Sequence, residues 1–197
     1  MSGVGSSNDI PLRFVDSLDT KKHMVLFYDN PEYAQRIEFQ FLKKGLERGE
    51  HCIYAMSEDP KFVKEKMVSY GIPVGELLEK KILNIYQLSD PVDDPEGPMR
   101  GAEKSIKMVM ADLKSSFRIV SNLFPNENTD EAISAHLTIE HNLHVTFNEF
   151  QGSVMCPYNI ENVRENKRKE WFDGLFDNHH TAIYAPKFGR GGVFDLR

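Results

Sequence analysis

The chain has 197 residues, 40% hydrophobic and 27% charged, with a formal net charge of −6 at pH 7. That is long enough for one domain with a sizeable core and short for two. The acidic balance and the lack of a basic stripe argue against a direct nucleic-acid partner and against anionic membrane surfaces, and no apolar run approaches the roughly 20 residues needed to span a bilayer.

Residues 1–10 are small and polar and read as a disordered N-terminus, without the basic and apolar regions of a signal peptide. Residues 11–197 read as a single domain. Ile10 to Leu18 has enough apolar residues for a short helix or strand at the domain edge. Met24 to Tyr28 is a short apolar run of the kind a parallel strand buried on both faces requires. Asp29 or Asn30 can cap the next helix, and Pro31 suits its first turn. Tyr33, Ile37, Phe41 and Leu42 recur at helical spacing, and Gly49 is a stop. Cys52 to Met56 is a second buried strand. Asp59-Pro60 opens a helix with Val63, Met67 and Tyr70 on its inner face, ended by Gly71. Pro73 to Lys80 is a short helix and Ile82 to Tyr86 a third strand.

Gln87 to Gly101, with three prolines and four acids, breaks the pattern. The expectation is a solvated loop that holds no helix, or alternatively a lid over a ligand site. A helix over 102–115, a strand over Phe117 to Val120 and a long helix over about 131–149 follow, the last opened by the capping residues Asn128-Thr129-Asp130-Glu131. Strand five is Ser153 to Cys156. A helix over 160–177, with the basic run Arg164 to Lys169 exposed, precedes two strands, Thr181 to Ala185 and Gly192 to Leu196, joined as a hairpin. Alternating strands and helices predict a three-layer α/β/α sandwich with a mostly parallel central sheet and a C-terminal hairpin. The two cysteines, Cys52 and Cys156, sit in or at the end of apolar strands and read as buried thiols in a reducing cytoplasm.

The first strand–helix unit occupies the place of a phosphate-binding loop, whose GxxxxGK[ST] pattern supplies backbone N–H groups, a lysine and a magnesium-binding hydroxyl. Here the turn is Tyr28-Asp29-Asn30-Pro31-Glu32-Tyr33-Ala34-Gln35, with no glycine, lysine, serine or threonine and with two carboxylates. Strand four ends Ile119-Val120-Ser121-Asn122, without the second acid that would hold magnesium. Hydrolysis of a nucleoside triphosphate is not expected.

The segment QFLKKGLERGEHCIYAMSEDP resembles the corresponding one of RecA/KaiC-type ATPases, a likeness that sets Ala34 at the phosphate lysine, Gln35 at the magnesium hydroxyl and Glu58 at the water-activating acid. More closely, the chain resembles the MEDS domain, a degenerate KaiC-like sensory module of the dichloromethane-response regulator DcmR and of histidine kinases. The pieces that carry this are His23 with Phe27-Tyr28, FLxxGLxxGE at Phe41 to Glu50, Cys156-Pro157-Tyr158, and a histidine at 179 or 180, over roughly residues 23–185. The resemblance implies a non-catalytic domain that senses a small organic or one-carbon metabolite and passes the signal to a partner protein or through homo-oligomerisation. Relatives attach a DNA-binding or kinase domain to this module, and neither is expected within this sequence.

In open α/β sheets ligands bind outside the carboxyl ends of the strands. The residues at those ends are Tyr28, Asp29, Ser57, Glu58, Ser121, Asn122, Cys156 and Tyr158; of these Tyr28, Asp29, Glu58, Asn122, Cys156 and Tyr158 are selected, and the family likeness adds His23 on the far side. No cofactor is expected. His136, Glu140 and His144 line one helical face, but such a row spreads along about 12 Å. At best one adjacent pair could serve a metal, with Cys156 or a histidine from 179–180 completing the set; no metal residue is assigned. Two alternatives to sensing stay open: nucleotide binding without hydrolysis, with adenine between Tyr28 and Tyr158, and a metal- or thiol-dependent enzyme using Cys156 and nearby histidines.

Overall fold

The computed structural model describes residues 9–114, 116–126, 129–163 and 165–196. Helix α1 (Ile10–Ser17) is capped by Asp9, whose carboxylate accepts from the Leu12 N–H. Strand β1 (His23–Tyr28) leads into helix α2 (Pro31–Glu47), strand β2 (His51–Met56), the short helices α3 (Pro60–Ser69) and α4 (Val74–Glu79), and strand β3 (Leu83–Gln87). Helix α5 (Pro98–Ala111), strand β4 (Phe117–Ser121), helix α6 (Asp130–Thr146), strand β5 (Gly152–Asn159), helix α7 (Arg168–Asn178) and strands β6 (Thr181–Lys187) and β7 (Arg190–Asp195) complete the order.

The seven strands form one sheet in the order β3-β2-β4-β5-β1-β6-β7, parallel throughout except for β7, which pairs antiparallel with β6. The expected α/β sandwich with a terminal hairpin is therefore present. Strand order explains which helix lies where. The crossovers β1→β2 and β2→β3 move toward one edge, whereas β3→β4, β4→β5 and β5→β6 move back, and right-handed connections put these two groups on opposite faces. The cores agree: α1 to α4 pack on Met24, Leu26, Cys52, Tyr54, Val120 and Met155, and α5 to α7 pack on Val25, Phe27, Ile53, Ile119, Val154 and Cys156. Adjacent residues alternate between the two faces, as the pleat requires.

Helix boundaries follow local chemistry. Asn30 Oδ1 accepts from the Tyr33 N–H (2.8 Å), Asp59 from Lys61, and Thr129 from Ala132, so the three expected starts are capped by side chains. Gly49 and Gly71 close α2 and α3 with φ of +76° and +87°, a region that disfavours a side chain. Asn128 and Arg164, named in the sequence reading, lie outside the described residues.

Three expectations are corrected. The segment after β3 is not wholly a loop: Pro91–Asp93 forms a 3₁₀ turn capped by Asp90, and α5 begins at Pro98 rather than 102. Proline fits the first turn of a helix because no N–H is needed there. Strand β5 runs on through Pro157 to Asn159, three residues beyond Cys156. The expected helix over 160–177 starts instead as 3₁₀ turns at Ile160–Asn162 and Glu165–Lys167 and becomes α-helical only at Arg168.

Candidate functional site

The β1–α2 turn is held by its own side chains. Asn30 Oδ1 accepts from the Tyr33 N–H at the third helical position, and Asp29 accepts from the Tyr184 hydroxyl (2.8 Å) of the neighbouring strand β6. Beyond it, the Tyr54 hydroxyl lies 2.9 Å from Glu38 and 3.0 Å from Glu58, and Gln35 donates to Glu58. Burial pushes the Glu38 carboxyl up to about 8, against a favourable hydrogen bond from Tyr54 and with help from the Glu58 charge. One hydroxyl hydrogen cannot serve two carboxylates. The chain closes if protonated Glu38 donates to Tyr54, which donates to Glu58. Burial, then the Glu38 and Glu58 charges, also raise Tyr28.

The seven residues selected from sequence divide. Tyr28, Asp29, Glu58 and Asn122 lie at the carboxyl ends of their strands, where Asn122 Oδ1 accepts from the Phe124 N–H. Tyr28 packs on the α2 face and Tyr158 on the α6 face, so the two rings cannot hold one adenine between them. His23, Cys156 and Tyr158 converge instead within the α6 layer, around a residue absent from the seven, Glu140.

That convergence is the densest chemistry in the molecule. His23, Glu140, Cys156 and His179 each present one donor atom, and these atoms lie within 4.8 Å of one another, all buried. Among the described residues this is the set that could hold a metal ion. His23 Nε2 is 3.1 Å from Glu140 Oε2 and 3.5 Å from Cys156 Sγ, and His179 Nε2 is 3.5 Å from Glu140 Oε2. Outside this ring Glu140 and His179 are tethered. Tyr158 donates to Glu140 Oε1 (2.6 Å), which also lies 3.3 Å from His136 Nε2, while Trp171 donates to His136 Nδ1. His179 Nδ1 is 2.8 Å from the Leu175 carbonyl, a bond that places the proton on Nδ1 and leaves Nε2 with its lone pair. The His23 ring stacks on Phe147 and lies tilted against His179, with centroids 4.0 Å apart.

The charges follow from burial. Burial lowers His179 to about 3, so its imidazole is neutral. Burial opposes ionisation of Glu140, but the surrounding His179, His136 and His23 outweigh it and hold the carboxyl well below its usual range. Burial, then the Glu140 carboxylate, push the Cys156 thiol well up. The expected helix row contributes differently from its spacing: Glu140 alone faces the ring, His136 sits behind it, and His144 turns to His180 (centroids 5.2 Å). His180 Nδ1 accepts from the His23 backbone N–H, so His179 is the terminal histidine that enters the cluster. Strand parity was the available signal, since His23, Val25 and Phe27 share the face of Val154, Cys156 and Tyr158.

Beside this cluster, between α5, α6 and strands β4 and β5, lies an apolar cavity of about 320 Å³. Ile106 and Val109 of α5, Ile139 and Leu143 of α6, Ile119 and Val154 of the sheet line it. None of the seven selected residues does.

No curated protein is similar enough in sequence to count as a match. The solved structure of a KaiC-like protein from the hyperthermophilic archaeon Pyrococcus horikoshii OT3 is similar in fold, with a TM-score of 0.53 over 83% of this chain and 70% of that one at 13% identity. No helix among the described residues is long and apolar enough to cross a membrane. The model of the MEDS family, the methanogen/methylotroph, DcmR sensory domain, matches residues 22–172, most of the chain: this chain belongs to the MEDS sensory-domain family.

Proposed function

We propose that this domain senses a small, largely apolar organic molecule held in the cavity between α5 and α6, without hydrolysing nucleotide, and that it reports occupancy to a signalling partner or a second copy. The cavity carries this reading. It is walled mainly by aliphatic and aromatic side chains, with Glu103, Ser121, Asn142 and Thr146 as its few polar groups, a lining that favours largely apolar ligands oriented by a few polar contacts. The phosphate-loop position supports it from the other side, because Asp29 and the Glu38–Tyr54–Glu58 chain offer a triphosphate a carboxylate in place of a lysine.

The ligand sits between two helices that contact each other, so filling the cavity is expected to bias how α5 rests on α6 and on the turn at Pro91–Asp93. One-carbon and short-chain organic compounds, including halogenated ones, form the test panel, read by ligand-observed NMR on the purified chain. At least one is expected to bind wild type and to lose binding in Ile139→Phe, which fills the cavity. Mg-ATP is expected to leave the melting temperature unchanged. A large stabilisation by Mg-ATP, with the panel binding Ile139→Phe as well as wild type, would reject the proposal.

A further inference from the structure

We propose that His23, Glu140, Cys156 and His179 form a binding site for one divalent cation of the zinc class. The four donors come from the start of β1, the middle of α6, strand β5 and the end of α7, so the fold and not a local motif assembles them. Two imidazoles, a thiolate and a carboxylate are a borderline-soft set suited to Zn²⁺. Tetrahedral zinc, with bonds of about 2.0–2.3 Å, places its donors roughly 3.3–3.8 Å apart. Three of the separations, at 3.1, 3.5 and 3.5 Å, fall at or near that range. The widest, up to 4.8 Å, requires side-chain movement of about an ångström.

Two further observations point to a ligand. His179 Nε2 is buried with no hydrogen-bond partner and lies 3.5 Å from Glu140 Oε2, whose other neighbour in the cluster is His23 Nε2 at 3.1 Å. Buried polar atoms are normally paired. The outer tethers are those of metal ligands: His179 fixed through its other nitrogen by a backbone carbonyl, and Glu140 fixed through its other oxygen by Tyr158 and His136. Charge also balances. A dication with one thiolate and one carboxylate leaves a neutral centre in an apolar interior, and binding transfers the Cys156 thiol proton to solvent. With four protein donors the site is closed, as structural zinc sites are. It would clamp β1, β5 and α6 together beside the cavity walls Ile139 and Leu143. The proposal does not depend on what the cavity binds.

The full chain, freed of metal, is titrated anaerobically with Co²⁺. One equivalent is expected to bind, with a thiolate-to-metal band in the near ultraviolet and the visible bands of a four-coordinate ion, both lost on adding Zn²⁺. Cys156→Ser, verified as folded by circular dichroism, is expected to lose the thiolate band and to bind Zn²⁺ at least about 100-fold more weakly. Cys52→Ser, altered on the opposite face of the sheet, should keep both. X-ray absorption at the zinc edge of the wild-type complex needs no variant and is expected to show one sulfur and three nitrogen or oxygen donors. The proposal is overturned if the folded chain takes up no stoichiometric Co²⁺ or Zn²⁺, if the shell contains no sulfur, or if the thiolate band survives in Cys156→Ser.

Discussion

Replacing Glu38 by glutamine tests the electrostatics of the β1–α2 region directly. Glu38 is 3% exposed and its carboxyl is raised from 4.5 to about 8, chiefly by burial. The sign follows from proton counting. Between those values the folded chain keeps a proton that the unfolded chain has released, so stability falls as pH rises through the window and is fully present only below it. Each pH unit there costs up to about 1.4 kcal/mol, so wild type should lose roughly 2–3 kcal/mol between about pH 5 and about pH 7 from this group alone. Glutamine keeps an acceptor or donor for the Tyr54 hydroxyl and has no proton to lose. Urea unfolding of both proteins across that range isolates the effect as the difference between them, since other titrating groups cancel. The variant should gain on wild type steadily with pH. A difference that stays constant from pH about 5 to about 8 would refute a protonated Glu38, and with it the Glu38–Tyr54–Glu58 proton chain.

Arg118 is buried in β4, donates to Glu50 at 2.5 Å and to the Phe41 carbonyl at 3.0 Å, and Arg118→Ala should cost about 3–5 kcal/mol in chemical denaturation because it strands Glu50 and a carbonyl. Gly152 opens β5 where an added Cβ would run into the Phe117 carbonyl oxygen of β4; Gly152→Ala should destabilise by roughly 1–3 kcal/mol, read as a lowered melting temperature, and an unchanged value would mean the β4–β5 register differs. Trp171 is fully buried among Phe27, Tyr158 and Phe172, so Trp171→Ala should lose about 3–5 kcal/mol, and wild-type fluorescence should resist acrylamide quenching until the chain unfolds.

Much of the architecture was legible along the chain. Asn30-Pro31 and Asp59-Pro60 mark helix starts because a capping side chain and a missing N–H are both local requirements, and Gly49 and Gly71 mark ends for the same reason. Pro98 is ambiguous in sequence: proline excludes a helix interior but suits a helix start, and only packing of α5 on its neighbours decides between the two. Pro157 likewise stood inside a strand whose end the sequence reading placed at Cys156. The site was legible in pieces. His23 and Cys156 stand out one at a time, whereas in sequence Glu140 is one member of a helical row and nothing separates His179 from His180.

From its residues alone this protein is committed to an alternating α/β chain, with buried strands and no glycine or lysine in the first strand–helix turn, because periodicity, capping and turn composition act over a few residues. Only the tertiary structure decides that β1 lies between β5 and β6, and that α6 and α7 cover the same face. That choice brings His23 against Cys156 across 133 positions of sequence and turns Glu140 and His179 toward them. Strand order and crossover handedness are properties of the whole sheet, and no short spacing in the chain encodes them.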